Sequence, residues 1–304
     1  MKKRIFGILR QALFLAAAGI ICTAASGQTS PIVIEPLFEY PVAPENIESL
    51  EGKSGYLVTH FWDSMNFKEK QSVDQNALND AFAVYVAPMR WAPEVAANAS
   101  ADQLISQIAK NPVLSLQFAK AAEEALYGPR AEYWNDALYI KFLDNVEKCK
   151  GISKDRKLRY KRIRQQLSST LRGTMPPEFD YHRPDGTTAH YHPNGIITII
   201  EFGDPDCDDC RLAKLKMDTD IQLSQLIDKG MINVLFINVD PDEGWESKLK
   251  DYPSKWHVGA SDSVSDLYDL RATPSIYVID KEGKVAAKNV PVRTAIEIAV
   301  AAAQ

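Results

Sequence analysis

The sequence predicts two domains of different class, an all-α region over residues 48–172 and an α/β domain with a central mixed sheet and helices on both faces over residues 173–304. Three observations carry this. Between residues 47 and 171 apolar residues recur at helical spacing, and no strand pattern interrupts them. Beyond Gly173, β-branched runs at 196–202 and 231–239 alternate with helix-forming stretches. Between the two regions stand Gly173, Pro176 and Pro177, which interrupt either pattern. A chain of 304 residues has the length of two ordinary domains, and 45% hydrophobic residues suffice for a core in each. The net charge of -5 gives no global basic surface, so nucleic acid is not an expected partner. Four cysteines, Cys22, Cys149, Cys207 and Cys210, are too few for a disulfide-stapled scaffold.

The first 27 residues read as an export signal. Lys2, Lys3 and Arg4 precede an apolar run over 5–21 that is short for a membrane span, and Ala25, Ser26 and Gly27 supply small residues before Gln28, the expected start of the mature chain. Cys22 leaves lipid anchoring as an alternative, although Ile21 stands where a small residue normally precedes a lipidated cysteine. Either route places the protein outside the cytoplasm, in the periplasm, where disulfides form, and membrane contact is expected only through a lipid on Cys22. Residues 28–47 carry Pro31, Pro36, Pro41 and Pro44 and read as an extended lead segment.

Helices are expected near 48–65, 74–89, 101–110, 112–127, 130–150 and 154–172. Ser100 and Gln103 have the spacing of a capping box, and Asn111 before Pro112 is a cap followed by proline at the first helical position. Gly128-Pro129 and Gly151 terminate their helices, and Trp134, Leu138, Phe142 and Val146 form one apolar face. The aromatics Phe61, Trp62, Tyr85, Trp91, Tyr133, Trp134 and Tyr139 are read as core, with a peptide groove as the alternative, and His60 as a structural histidine. The basic run at 154–164 reads as a solvated helix face, or else as a docking surface for an acidic partner or anionic lipid. Cys149, the odd thiol, reads as buried and inert.

In the second domain Pro184-Asp185-Gly186 marks a hairpin between 179–183 and 187–191. His182, His190 and His192 lie there, but they alternate along strands and do not make a closed four-ligand set, so no metal is expected. The run over 196–202 is a strand buried on both faces. It hands over through Gly203 and Pro205 to Cys207-Asp208-Asp209-Cys210 at the start of a helix expected to run to Gly230. A cysteine at a helix N-terminus meets free backbone N–H groups and the positive end of the dipole, both of which favour a thiolate; a second cysteine one turn on can close a disulfide with it. Further on come a strand to Val239, a short helix from Gly244 to Leu249, a strand near Trp256, a helix over 261–270, a strand over 276–280, a turn to Gly283, a strand over 284–289 and a closing helix over 292–303.

The strand, the CxxC and the Thr273-Pro274 pair before a strand together resemble the thioredoxin-like fold, over residues 173–304. The extra strand and helix before Pro274, with Trp245, Trp256, Tyr268, Asp269 and Leu270, resemble the exported TlpA/ResA-like branch. The resemblance implies that Pro274 is a cis proline facing the CxxC, that the Thr273 backbone pairs with an extended substrate chain, and that Glu201 is the buried acid the family often has there. The helical region, with Tyr56 to Asp63 as its opening, resembles an uncharacterised domain found before thioredoxin modules in exported bacterial proteins, and supplies no catalytic residues.

These residues lead to an exported thiol–disulfide oxidoreductase without cofactor. Cys207 is the nucleophile, Cys210 resolves the mixed disulfide, and Glu201, with a pKa raised by its apolar setting, takes the Cys210 proton. Asp206 replaces the family's usual tryptophan, and with Asp208 and Asp209 it places negative charge around Cys207. That disfavours the thiolate and points to a reductase or isomerase. Expected partners are proteins with disulfides or thiols and an upstream electron donor. The competing reading is a partner-binding protein whose thioredoxin-like module is a scaffold with a structural disulfide.

Overall fold

Local side-chain chemistry sets the helix starts in the first half of the chain. The computed structural model describes residues 36–68 and 72–304; the expected export signal, the expected cleavage point and Cys22 lie outside them. Ser49 caps α1 (Leu50–His60), Asp74 caps α2 (Gln75–Val86), and a 3-10 turn, Ala87–Arg90, leads to α3 (Glu94–Ile108). Asn111 accepts hydrogen bonds from the backbone N–H groups of Val113 and Leu114 at 3.0 and 3.1 Å and starts α4 (Pro112–Leu126). Asn135 caps α5 (Asp136–Lys148), and α6 (Lys154–Ser169) closes the region.

Several boundaries differ from the sequence expectation. The first helix stops at His60 and continues as turns, and the fifth begins only at Asp136, after a turn closed by the Trp134 indole donating to the Gly128 carbonyl at 2.9 Å. The third helix starts at Glu94 instead of 101, because Glu94 and the alanine-rich stretch after it propagate a helix readily. Ser100 is therefore no cap. It is buried inside the helix, where its hydroxyl donates to the Val58 carbonyl at 2.7 Å and accepts from the Tyr85 hydroxyl at 2.9 Å.

The core of this region is aromatic. Trp62 lies 5.2 Å from Phe118 and 5.3 Å from Tyr85, with Phe61, Phe82 and Phe142 around them, while Phe38 and Tyr40 of the lead segment pack on Phe61. Trp91 and Trp134 keep much of their surface exposed. His60 finds an acidic partner one turn on, Asp63 at 2.7 Å, and Cys149 is buried. The basic run of α6 is not simply a solvated face. Arg159 pairs with Glu123, Arg164 with Asp144, and Arg162 reaches Asp266 in the second domain.

The second domain is built on β1 (Phe179–His182), β2 (Thr188–Tyr191), β3 (Ile197–Gly203), β4 (Ile232–Asn238), β5 (His257–Ala260), β6 (Ser275–Ile279) and β7 (Val285–Lys288). They form one mixed sheet in the order β2-β1-β5-β4-β3-β6-β7, parallel at β3–β4 and β4–β5 and antiparallel elsewhere. Gly186, at φ 82°, makes the tight turn of the β1–β2 hairpin. All of β3 is buried. Ile197, Ile199, Val234, Phe236, Ile276 and Val278 pack under α7 (Asp208–Asp218), α8 (Ile221–Asp228) and α11 (Val292–Ala303). Ile200, Phe202, Leu235, Ile237 and Tyr277 pack on the opposite face, with the hairpin aromatics and α10 (Val264–Leu267). The segment expected as one helix to Gly230 is two, because Asp220 accepts from the Leu223 N–H at 2.9 Å and starts a new helix. The short helix expected over 261–270 shrinks to α10, and α9 (Trp245–Lys248) lies near its expected place. Gly173-Thr174 is not a free linker: the Gly173 N–H donates to the Val285 carbonyl at 2.8 Å, and the Val285 N–H to the Thr174 carbonyl at 2.9 Å.

Replacing Ser100 by alanine strands the Tyr85 hydroxyl and the Val58 carbonyl in the core. We expect a loss of about 1–3 kcal/mol in urea denaturation, whereas Gln103→Ala, which a capping box would make equally costly, should leave stability nearly unchanged.

Candidate functional site

The site begins where β3 ends. Asp204 folds the chain back: its side chain accepts the Asp206 N–H at 2.8 Å and its carbonyl accepts the Cys207 N–H at 3.0 Å. Cys207 becomes the N-cap of α7, in extended backbone conformation, and its sulfur accepts the Cys210 N–H at 3.3 Å. The cap is thus made by a sulfur where oxygen is usual, at the positive end of the helix dipole. Cys207 is partly exposed and Cys210 is fully buried. Gly203 is required by the close approach of Cys210: a Cβ there would lie 2.9 Å from its sulfur and 3.5 Å from the Phe236 ring.

Glu201 sits two residues back on β3, opposite Phe236 and Ile276, which places it on the face covered by α7 and α11. Its side chain is wholly buried, and among the described residues neither carboxyl oxygen has a hydrogen-bond partner. An unpaired carboxylate in that setting is costly, and burial pushes the Glu201 pKa up from 4.5 to about 8, against the opposing pull of Lys214. Burial, the hydrogen bond to Cys207 and the nearby charges of Cys207 and Glu201 likewise push the Cys210 thiol far above its ordinary value. Lys214, one turn beyond Cys210, holds its ammonium 4.3 Å above the Tyr252 ring, and Tyr252 is itself raised by burial and then by Glu201 and Cys210. Glu201, Cys210, Lys214 and Tyr252 therefore form one electrostatic neighbourhood under the exposed cysteine.

Two of the three acids around Cys207 are compensated. Lys248 bridges Asp206 at 2.6 Å and Asp242 at 2.7 Å, and Arg211 pairs with Asp208. Asp209 is exposed and has no ion-pair partner among the described residues. The fixed negative charge expected from sequence is thus reduced by two cations, Lys248 and Arg211, that the local motif does not contain.

The Thr273-Pro274 bond is cis. β6 starts at Ser275, paired with Phe202, so Pro274 lies one step along, at the register position of Gly203 and at the same end of the sheet as the Cys210 sulfur. Thr273 is exposed and Pro274 half-buried. The three histidines stay on the hairpin, where His190 pairs with Asp180 and Glu178, and no group of potential metal ligands occurs among the described residues. No helix among the described residues is long and apolar enough to cross a membrane.

Residues 21–170 match a family model described as a domain of unknown function, DUF5106. A solved thioredoxin-like protein from Bacteroides caccae superposes with a TM-score of 0.74 at 22% identity, covering 88% of this chain and 99% of its own. The second domain has a thioredoxin-like fold. Over shorter spans the chain is similar to the thioredoxin domain of a thiol-disulfide oxidoreductase from Bacteroides vulgatus (22% identity, 43% of this chain, 99% of that one, TM-score 0.37). It is also similar to a conserved protein of unknown function from Bacteroides fragilis (27% identity, 42% and 98%, TM-score 0.40). No curated protein matches the chain.

Sequence reasoning missed five members of the site, among them Arg211, the residue directly after Cys210. Lys214 and Gly203 had local signals: Lys214 is at i+4 from Cys210 on the same helix, and Gly203 immediately follows a fully buried strand. Tyr252 and Lys248 had none, since they reach the site from the segment between β4 and β5. A pH test follows from Glu201. The folded protein holds its proton to about 8, whereas the unfolded chain releases it near 4.5. The contribution of Glu201 to stability is therefore fully present below 4.5 and is lost as pH rises through about 8. Glu201→Gln removes this dependence, so its stability advantage over the unsubstituted chain should grow by an amount on the order of a few kcal/mol between about pH 5 and pH 9 in urea titrations.

Proposed function

We propose that the chain is an exported thiol–disulfide oxidoreductase that reduces or isomerises protein disulfides through Cys207 and Cys210. The observation that carries this reading is the asymmetry of the pair: Cys207 is reachable at the tip of α7, and Cys210 is sealed behind it beside Glu201. A sulfur that must meet a partner's disulfide has to be accessible, whereas one that only attacks its neighbour does not.

In this reading the Cys207 thiolate attacks one sulfur of the substrate disulfide. A bond forms between the two sulfurs, and the other substrate sulfur leaves as a thiolate. Glu201 in its ionised form draws the proton from Cys210, directly or through an intervening water. The Cys210 thiolate then attacks the Cys207 sulfur, closing the Cys207–Cys210 disulfide and releasing the second substrate thiolate. Two electrons pass to the substrate, and an upstream dithiol donor returns them to the protein. The exposed Thr273 backbone beside cis Pro274 serves as the rail along which an extended substrate segment pairs. The basic and apolar start of the chain supports export, with attachment at Cys22 as its lipid-anchored form.

Trapping tests the assignment of the sulfurs. Cys210→Ser should accumulate mixed disulfides with protein partners and Cys207→Ser should accumulate none. If neither variant traps a partner, the scaffold reading replaces this one.

The reducing poise rests on charge. Asp209→Asn removes the uncompensated acid beside Cys207, stabilises the thiolate and should shift the reduction potential upward. Lys248→Ala exposes the charge of Asp206 and should shift it downward. Equilibration with glutathione measures both, and shifts of the opposite sign would sink the charge argument.

A further inference from the structure

The least solvent-accessible charge cluster of the described residues joins the helical domain to the loop that carries Thr273-Pro274. Arg271 stands two residues before Thr273, with its side chain 5% exposed. Its guanidinium donates to both oxygens of Asp269 and to Asp136, the first residue of α5. It also donates to the Tyr127 carbonyl at 3.3 Å and stacks over the Tyr127 and Trp134 rings at 4.2 and 5.1 Å. Lys288 of β7 completes the cluster, 2.7 Å from Asp136 and 3.2 Å from Asp269. Two carboxylates and two cations balance, and every one is largely removed from water. The lowered pKa of Asp136 reflects this: burial opposes its ionisation, but Lys288 and Arg271 outweigh burial. The same loop is tied further along, where the Tyr277 hydroxyl donates to the Asp269 carbonyl at 2.9 Å and the Ser275 hydroxyl to the Ala272 carbonyl at 2.7 Å.

We propose that the helical domain is a positioning element of the redox site, in which Asp136, acting through Arg271, holds the Thr273-Pro274 loop in the conformation that receives a polypeptide disulfide. The substrate half of this inference rests on the redox reading above; the clamp itself does not. Asp136 touches neither sulfur nor substrate, so it is a positioning residue. A protein substrate that pairs with the loop backbone depends on the clamp, whereas a small disulfide needs only the Cys207 sulfur.

The test compares the full-length chain with Asp136→Asn, which keeps the side-chain shape and removes the charge, and with Trp134→Leu, a milder change at the half-exposed rim that removes one stacking partner of Arg271. Two disulfides are used as probes, insulin and cystamine, and amide hydrogen exchange is followed over residues 269–275. The expected result for Asp136→Asn is a KM for insulin raised about tenfold with cystamine reduction within about twofold of the starting rate, and faster exchange confined to the loop. Trp134→Leu should move the same quantities in the same direction by less, and it carries the test if Asp136→Asn does not fold. Unchanged exchange and unchanged KM in a folded variant overturn the proposal. Equal losses with both disulfides, accompanied by faster exchange across the whole sheet, also overturn it, since they mark general destabilisation. If the unsubstituted chain leaves insulin oxidised, the redox reading has failed, and the exchange comparison still decides the clamp: faster exchange confined to the loop upholds it, and unchanged exchange overturns it.

Discussion

The structure depends on the confinement of β3. Each residue of Ile197–Gly203 is buried, β4 pairs with the strand along its length, and β6 pairs with it from Thr198 to Phe202. A strand with both edges and both faces occupied cannot slip register without turning a whole set of apolar side chains around. That rigidity fixes the Glu201 carboxyl on the face covered by α7 and α11, where neither oxygen has a hydrogen-bond partner among the described residues. It also places Gly203 against the Cys210 sulfur and opposite the position of Pro274, so the end of one strand orders both halves of the site.

Electrostatics in the molecule divide by burial. Lys248 with Asp206 and Asp242, and Arg211 with Asp208, are solvated pairs whose contribution to stability is small. Their importance lies in the charge they remove from the surroundings of Cys207. The Arg271, Lys288, Asp136 and Asp269 cluster is the opposite case. Desolvation makes each member dependent on the others, so loss of one leaves an uncompensated charge inside the protein. Such a cluster specifies one geometry more than it adds stability, which suits a junction between a helical domain and a loop.

Legibility from sequence followed the range of the interactions. The closing helix, the hairpin turn and the buried strands were readable because their signals are local: periodicity, Asp185-Gly186 and runs of β-branched residues. Ser100 misled because a cap and a buried mid-helix hydroxyl bonded across to another helix use the same residue type, and only the neighbouring Val58 and Tyr85 distinguish them. The break after Thr219 was present in Asp220 as a cap signal, but apolar residues on both sides read as one helix. Glu201 was marked by its place in a run read as buried on both faces, and the resemblance pointed to the same residue. Arg271 and Asp136, 135 positions apart, could not be joined by any local pattern.

The helical and thioredoxin-like domains meet at the segment between α10 and β6 and at Lys288 of β7, which reaches Asp136 and Thr170. Arg162 and Gln166 of α6 bind Asp266 and the Ser265 carbonyl at α10, and Arg271 is bound by Asp136, Tyr127 and Trp134. The segment between α10 and β6 is thereby fastened at both ends before it reaches Thr273. The exposed fastening at Asp266 is screened by solvent and tolerates motion, whereas the buried one at Arg271 does not. The more deeply buried of the two fastenings therefore stands two residues before Thr273, where the segment turns into the cis proline.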